Sequence, residues 1–251
     1  MNSLKNKIAV ISGSGQGVGE GIALALASYG VKVALLGRTF AKVEQVAMNI
    51  KENGGNALPV ECDVKNLNSI TEAVDKVIAE YGTINILVNN AQEVPLGSIL
   101  DVTDEAAENG WKSGPLASLR FMRTCYKYLK GNGSVINLAS SSALRPDSAG
   151  YGVYAAVKEA IRSITRTAAV EWGPDNIRVN AIMPLAMSKG MEWWMKERPD
   201  EANEFLRTIP LGRVGDCKDD IGMAVCKLLT DDMSYITGST IMLDGGQAFL
   251  G

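Results

Sequence analysis

The sequence predicts an α/β protein: a doubly wound parallel sheet of about seven strands in a single domain spanning residues 1–251. Three observations carry that prediction. Short β-branched apolar runs recur along the chain, longer segments of helical period separate them, and glycines or prolines stand where the helices would stop. No internal repeat, low-complexity tract or Pro/Gly-rich linker divides the 251 residues.

Lys7–Ser12 (KIAVIS) reads as the first strand, an almost continuous apolar run of the kind that a sheet covered on both faces requires. The helix-period segment Val18–Tyr29 follows and stops at Gly30. Lys32–Leu36 is the second strand and Ala41–Glu52 the next helix, closed by Gly54-Gly55. Ala57–Cys62 is the third strand, Ser69–Tyr81 a helix ending at Gly82, and Ile84–Asn89 the fourth strand. A long helix, Trp111–Lys130, leads through Gly131 to the strand Ser134–Leu138. The helix Gly152–Glu171 ends at Gly173-Pro174 before the strand Ile177–Ile182. Asp219–Leu229 and Thr240–Leu243 are the last helix and strand. Strict alternation makes successive strands parallel, and such a sheet binds ligands at the carboxyl ends of its strands.

Composition excludes several functions. The 25 basic and 28 acidic side chains leave a net charge of −3, and no basic run argues for nucleic acid. No apolar stretch is long enough to cross a bilayer, and the first residues lack the apolar core of a signal peptide, so a soluble cytoplasmic protein is expected. The absence of histidine removes Ser-His-Asp and Cys-His catalysis and His-ligated zinc. The four cysteines, Cys62, Cys125, Cys217 and Cys226, form no CxxC pair, and no metal is expected. Acid–base work falls to a carboxylate, a lysine or a tyrosine.

The first strand runs directly into Ser12-Gly13-Ser14-Gly15-Gln16-Gly17-Val18-Gly19 and then into a helix. Glycines there permit a tight turn and close approach of backbone N–H groups to a pyrophosphate, which the positive end of the helix would face. Gly13, Ser14, Gln16, Gly17, Val18 and Gly19 are therefore candidate dinucleotide contacts. The second strand ends in Leu36-Gly37-Arg38-Thr39, with no carboxylate to accept from ribose hydroxyls. A guanidinium suits a 2′-phosphate, so Arg38 favours NADP(H) over NAD(H); a solvated arginine is the alternative.

A tyrosine and a lysine four apart share a helix face. The chain has two such pairs, Tyr126/Lys130 and Tyr154/Lys158. The first ends a helix leading into a strand and so belongs at the sheet's amino edge. The second follows that strand and belongs beside the ligand. A tyrosine, with a pKa of about 10, is a poor base unless its phenolate is stabilised. Lys158 and a positive nicotinamide are expected to pull Tyr154 well below that value.

Several blocks in the same order resemble the short-chain dehydrogenase/reductase family over nearly the whole length. The glycine loop is similar to TGxxxGxG, Cys62-Asp63-Val64 to its adenine-contacting segment, and Asn89-Asn90-Ala91 to its NNAG block. Tyr154-Ala155-Ala156-Val157-Lys158 is similar to its YxxxK motif, and Asp244-Gly245-Gly246 to its last block. The resemblance implies a Rossmann-type fold and a nicotinamide cofactor contacted by Asp63, Val64, Asn90, Ala91, Tyr154, Lys158 and Pro184. It also implies a tetramer formed through the helices flanking the sheet. Ser140 fits the family's substrate-polarising serine, with Ser141 as the alternative; Ser142 lies close enough to touch substrate.

Three departures stand out. Ser113 occupies about the place of the family's relay asparagine, NNAG has become NNAQ with Gln92 beside the nicotinamide site, and the family's PG is Pro184-Leu185. Together with Gly133–Asn137 and Glu171-Trp172-Gly173-Pro174, they resemble the bacterial 12α-hydroxysteroid dehydrogenases. That likeness implies a bulky hydrophobic alcohol or ketone, a bile acid for instance, as a small-molecule substrate. The family's substrate lid would fall at about 185–210, where Trp193, Trp194 and several methionines offer apolar surface. One tryptophan could instead anchor the lid. Reductases of 3-oxoacyl thioesters or of polyols are the alternatives within the family, and a non-catalytic NADP sensor is the alternative outside it.

Overall fold

The computed structural model describes residues 3–145 and 150–248. Seven strands form one parallel sheet in the order β3-β2-β1-β4-β5-β6-β7. They are β1 (Ile8–Ser12), β2 (Lys32–Gly37), β3 (Asn56–Glu61), β4 (Ile86–Asn89), β5 (Gly133–Leu138), β6 (Ile177–Pro184) and β7 (Thr240–Leu243). Each matches an expected strand to within two residues at either end. Pro59, which lacks an N–H, falls on β3 at the sheet edge, where that loss is tolerated.

Every residue of β1 is buried because helices cover both faces. Ala9 and Ile11 pack with α1 (Gly17–Ser28), α2 (Phe40–Glu52) and α9 (Met223–Leu229). Ile8 and Val10 pack with α3 (Leu67–Tyr81), α5 (Pro115–Leu129) and α6 (Gly152–Trp172). The chain reverses direction across the sheet between β1 and β4, so a crevice opens above their carboxyl ends.

Two helices differ from expectation. The segment 111–130 is not one helix: α4 (Asp104–Ser113) ends at Gly114, whose φ of −98° and ψ of −99° break the helix, and α5 restarts with Pro115 at its first turn. A residue before proline is pushed out of the helical region, while proline suits a helix start. The segment 219–229 begins earlier, as a π-helical turn Cys217–Gly222 that passes into α9. The expected lid holds two short helices, α7 (Lys189–Glu197) and α8 (Pro199–Arg207).

Candidate active site

A cleft of about 320 Å³ lies over the carboxyl ends of β1, β2, β3 and β4. Among its walls are Gly13, Gln16, Arg38, Asp63, Val64, Asn90, Ala91, Gln92 and Ser113, which the sequence spreads over a hundred positions. Gly13 has a φ of +65°, and a Cβ there would stand 2.8 Å from the Cα of Ala91. A Cβ on Gly19 would stand 2.4 Å from both Asn90 Nδ2 and the Gly13 carbonyl oxygen. The glycines therefore let the loop fold against β4.

Asn90 holds that fold in place. Its Nδ2 donates to the carbonyls of Ser12 at 3.0 Å and Gly13 at 2.9 Å. Ser12 Oγ accepts from the backbone N–H groups of Asn90 at 3.0 Å and Ala91 at 3.1 Å. Ser12 escaped the sequence reading, although a buried hydroxyl ending an apolar strand was its visible signal. Ser14 turns inward, its hydroxyl donating to Leu36 O at 3.5 Å, and it is buried away from the cleft wall. Val18 packs against the core.

The loop fits a dinucleotide. Helix α1 begins at Gly17, and Gln16 before it gives no side-chain cap, so its first-turn N–H groups are not taken by a side-chain acceptor. Asp63 accepts from Lys65 N–H at 3.0 Å while its own N–H donates to Ser69 Oγ at 3.1 Å, which fixes the turn after β3 in the cleft wall. Arg38 is exposed and donates to Glu93 Oε1 at 2.7 Å, and Lys65 Nζ lies 3.1 Å from the same oxygen.

Beyond the cleft, at the end of β5, Ser140 stands beside the phenol of Tyr154 and favours its ionised form. Ser140 Oγ also donates to Ser142 Oγ at 3.2 Å and accepts from the Ser142 N–H at 3.2 Å. Lys158 is buried; its Nζ donates to Leu138 O at 2.7 Å and lies 5.5 Å from the centre of the Tyr154 ring. Burial pushes Lys158 down to about 7. In the cofactor-free chain, without the positive nicotinamide on which the expected fall depends, burial raises the Tyr154 phenol above its ordinary value and outweighs the influence of Ser140. Lys158 gives its hydrogen bond to Leu138 O, and burial favours its neutral form, so it does not offset the desolvation of the phenol. Beneath the site, Asn89 Nδ2 donates to Asn137 Oδ1 at 2.8 Å and Asn137 Nδ2 to Thr165 Oγ1 at 2.9 Å, tying β4, β5 and α6 together. The other tyrosine–lysine pair lies at the amino edge, where Tyr126 and Lys130 both bind Asp175.

Ser113 spends its hydroxyl within the fold. It donates to Asn109 O at 2.6 Å and accepts from Glu93 N–H at 2.9 Å. Gln92 Nε2 donates to Glu93 O at 2.6 Å and Gly110 O at 3.0 Å, leaving its buried Oε1 without a partner. A Cβ on Gly114 would stand 2.2 Å from that oxygen and 3.0 Å from Val157 Cγ1, next to Lys158. The carboxamide of Gln92 thus fills the space that any side chain at 114 would need. Pro184 closes β6 beside Leu243. In the lid, Trp194 stacks edge-on against Phe205 at 5.6 Å, whereas Trp193 is 63% exposed.

Among the described residues, no group of His, Cys, Asp and Glu is arranged to hold a metal, and no helix is long and apolar enough to cross a membrane. The family model described as Enoyl-(Acyl carrier protein) reductase matches residues 13–248. A 12alpha-hydroxysteroid dehydrogenase of Clostridium sp. is 40% identical over 259 residues, with 98% of each chain covered. The Homo sapiens protein named Dehydrogenase/reductase SDR family member 4 is 32% identical, covering 97% of this chain and 88% of its own. Two solved structures align closely. A Serratia marcescens short-chain dehydrogenase/reductase gives a TM-score of 0.91 at 26% identity, with 98% of this chain and 100% of that one covered. A Burkholderia cenocepacia short chain dehydrogenase in complex with NADP gives 0.89 at 26%, covering 98% and 99%.

Proposed function

The chain belongs to the short-chain dehydrogenase/reductase family and is an alcohol dehydrogenase/ketoreductase; from that premise we propose that it interconverts a hydroxyl and a ketone on a bulky alicyclic substrate such as a hydroxysteroid, with NADP(H). The observation that carries the reaction is the convergence of Ser140, Tyr154 and Lys158 at the end of β5, with the buried Lys158 Nζ 5.5 Å from the centre of the Tyr154 ring. When bound, the nicotinamide supplies or accepts the hydride. Tyr154, raised by burial, is protonated near neutrality and gives its phenolic proton to the carbonyl oxygen of a ketone. Ser140 donates to the same oxygen and polarises it. Lys158 would hold the nicotinamide ribose, and its Nζ lies 5.5 Å from the centre of the Tyr154 ring.

For the substrate, support comes from the rim and from the 40% identical relative. Val94, Leu96, Ile99 and Leu100, in the segment after β4, are exposed apolar side chains, and Leu100 is 95% exposed. The segment packs on the start of α6: Gly97 N–H donates to Gly150 O at 2.9 Å, and a Cβ on Gly152 would meet Ile99 Cδ1 at 2.7 Å. Together with Trp193 it offers broad apolar surface to a flat ligand. The NADP(H) choice rests on Arg38 and on the absence of a carboxylate at the end of β2.

The test is oxidation of NADPH and of NADH against 12-oxo, 7-oxo and 3-oxo bile acids, a cyclic diketone, an acetoacetyl thioester and a ketose. Turnover of an oxo-steroid with NADPH is expected. Turnover of only the thioester or the ketose would overturn the substrate, and a preference for NADH would overturn the cofactor. Tyr154→Phe is expected to lower turnover by at least about a hundredfold, with NADPH binding retained.

A further inference from the structure

Glu93 answers to no motif, yet its carboxylate lies where the cofactor choice is made. The sheet order puts β1 between β4 and β2, with β3 outermost. Arg38 follows β2, Lys65 follows β3 and Glu93 follows β4. The carboxylate therefore reaches from the β4 side, past the glycine loop of β1, to cations on the far side. Its Oε1 is shared by Arg38 at 2.7 Å and Lys65 at 3.1 Å. Arg38 and Glu93 both line the cleft that holds the glycine loop.

Glu93 is held there from behind. Its N–H donates to Ser113 Oγ at 2.9 Å and its carbonyl accepts from Gln92 Nε2 at 2.6 Å. Both partners are departures from the family pattern: Ser113, in the place of the relay asparagine, and Gln92, in the place of the NNAG glycine, fix the backbone of Glu93. Lys65 is steadied from α4, where its Nζ donates to Asn109 Oδ1 at 3.2 Å. The arrangement is a built ion cluster rather than a chance surface pair.

We propose that Glu93 determines cofactor specificity: it is a resident anion on Arg38 and Lys65, which a 2′-phosphate must displace. Discrimination between phosphorylated and unphosphorylated dinucleotides is then set by the Glu93–Arg38–Lys65 cluster, not by Arg38 alone. The inference rests on the NADP(H) reading of the site. Its physical content is a competition. A carboxylate near a phosphate of nearly two negative charges repels it, and it also occupies the guanidinium edge that would bind the phosphate in bidentate fashion. A half-exposed ion pair is weak enough for a phosphate to open.

The experiment is calorimetric titration of the cofactor-free protein with 2′,5′-ADP and with 5′-AMP, which differ only in the 2′-phosphate. Glu93→Gln, of the same shape without the charge, is expected to bind 2′,5′-ADP about tenfold more tightly than the unaltered chain. Its affinity for 5′-AMP should change less than about twofold. In an Arg38→Gln background most of the gain should vanish, since coupled residues are not additive. Unchanged or weaker 2′,5′-ADP binding by Glu93→Gln would overturn the inference, as would a loss of 5′-AMP binding, which would make Glu93 a ribose acceptor. The two readings fail separately. If the unaltered chain prefers 2′,5′-ADP and Glu93→Gln adds nothing, only this inference falls. If the unaltered chain shows no preference but Glu93→Gln does, the cluster stands and the NADP(H) reading falls. Glu93→Asp, which keeps the charge but shortens the reach, should lie between the two and guards against a folding artefact.

Discussion

Lys158 is a charged group kept where an apolar side chain would be more stable. It is 4% exposed, its Nζ donates to the Leu138 carbonyl, and burial brings its pKa down to about 7. The unfolded chain keeps the ordinary, higher lysine value. From about pH 7 upward the unfolded state therefore binds more protons than the folded state, so stability gains from this residue as pH rises. Well below pH 7 both states are protonated and the full cost of burying the charge remains. Lys158→Met should thus stabilise the cofactor-free protein by about 1–3 kcal/mol at pH 6, with a smaller gain at pH 9, while turnover is lost. Urea unfolding at the two pH values checks this; a gain independent of pH would mean that shape, not charge, sets the cost. Ser113 and Gln92 also act at this scale. Ser113 reads in the sequence as a stand-in for the relay asparagine and Gln92 as a residue beside the nicotinamide, and each hydrogen-bonds the backbone of Glu93.

At the scale of elements, α1 and the π-helical turn Cys217–Gly222 pack backbone against backbone. A Cβ on Gly21 would stand 2.2 Å from the Cys217 carbonyl oxygen, and one on Gly222 would stand 2.6 Å from Gly21 O. Both obstacles are backbone, which cannot swing aside. Gly21→Ala is therefore expected to destabilise the protein by about 2–4 kcal/mol, although alanine is the better helix former. Denaturant unfolding measures it, and a neutral or stabilising result would show that the turn can move. None of this was legible in the sequence, where Gly21 is one small residue in an amphipathic helix. The strands were legible because burial on both faces demands unbroken apolar runs, and those runs mark their own ends. The helices at 104–129 and 217–229 were less so, since apolar periodicity continues across each join. Gly114-Pro115 was a readable break that the periodicity concealed.

For the whole molecule, the rule that a parallel sheet binds at its carboxyl edge was enough to separate Tyr154 and Lys158 from Tyr126 and Lys130. The first pair lies at the end of β5 and the second is tied to Asp175 at the opposite edge. What the rule does not contain is contact between loops. The Glu93 cluster, the Gln92–Gly114 fit and the packing of Ile99 on Gly152 each join segments whose approach no single motif encodes. The lid poses the same problem, because neighbouring tryptophans read alike in sequence. Here they diverge: Trp194 joins α7 to α8 through Phe205, and Trp193 faces solvent. If the lid is a packed unit that presents one aromatic face, its two functions separate by mutation. Trp194→Ala should lower the melting temperature by about 3–6 °C, as expected for loss of about 1.5 kcal/mol in a chain of this length. Trp193→Ala should leave melting unchanged and raise KM for a bulky ketone severalfold, with little effect on a small one. Thermal melting alongside KM for a large and a small ketone decides it. Equal effects of the two variants on KM, with no difference in melting, would mean that the lid is not anchored through Trp194 and that Trp193 has no special place in the substrate wall.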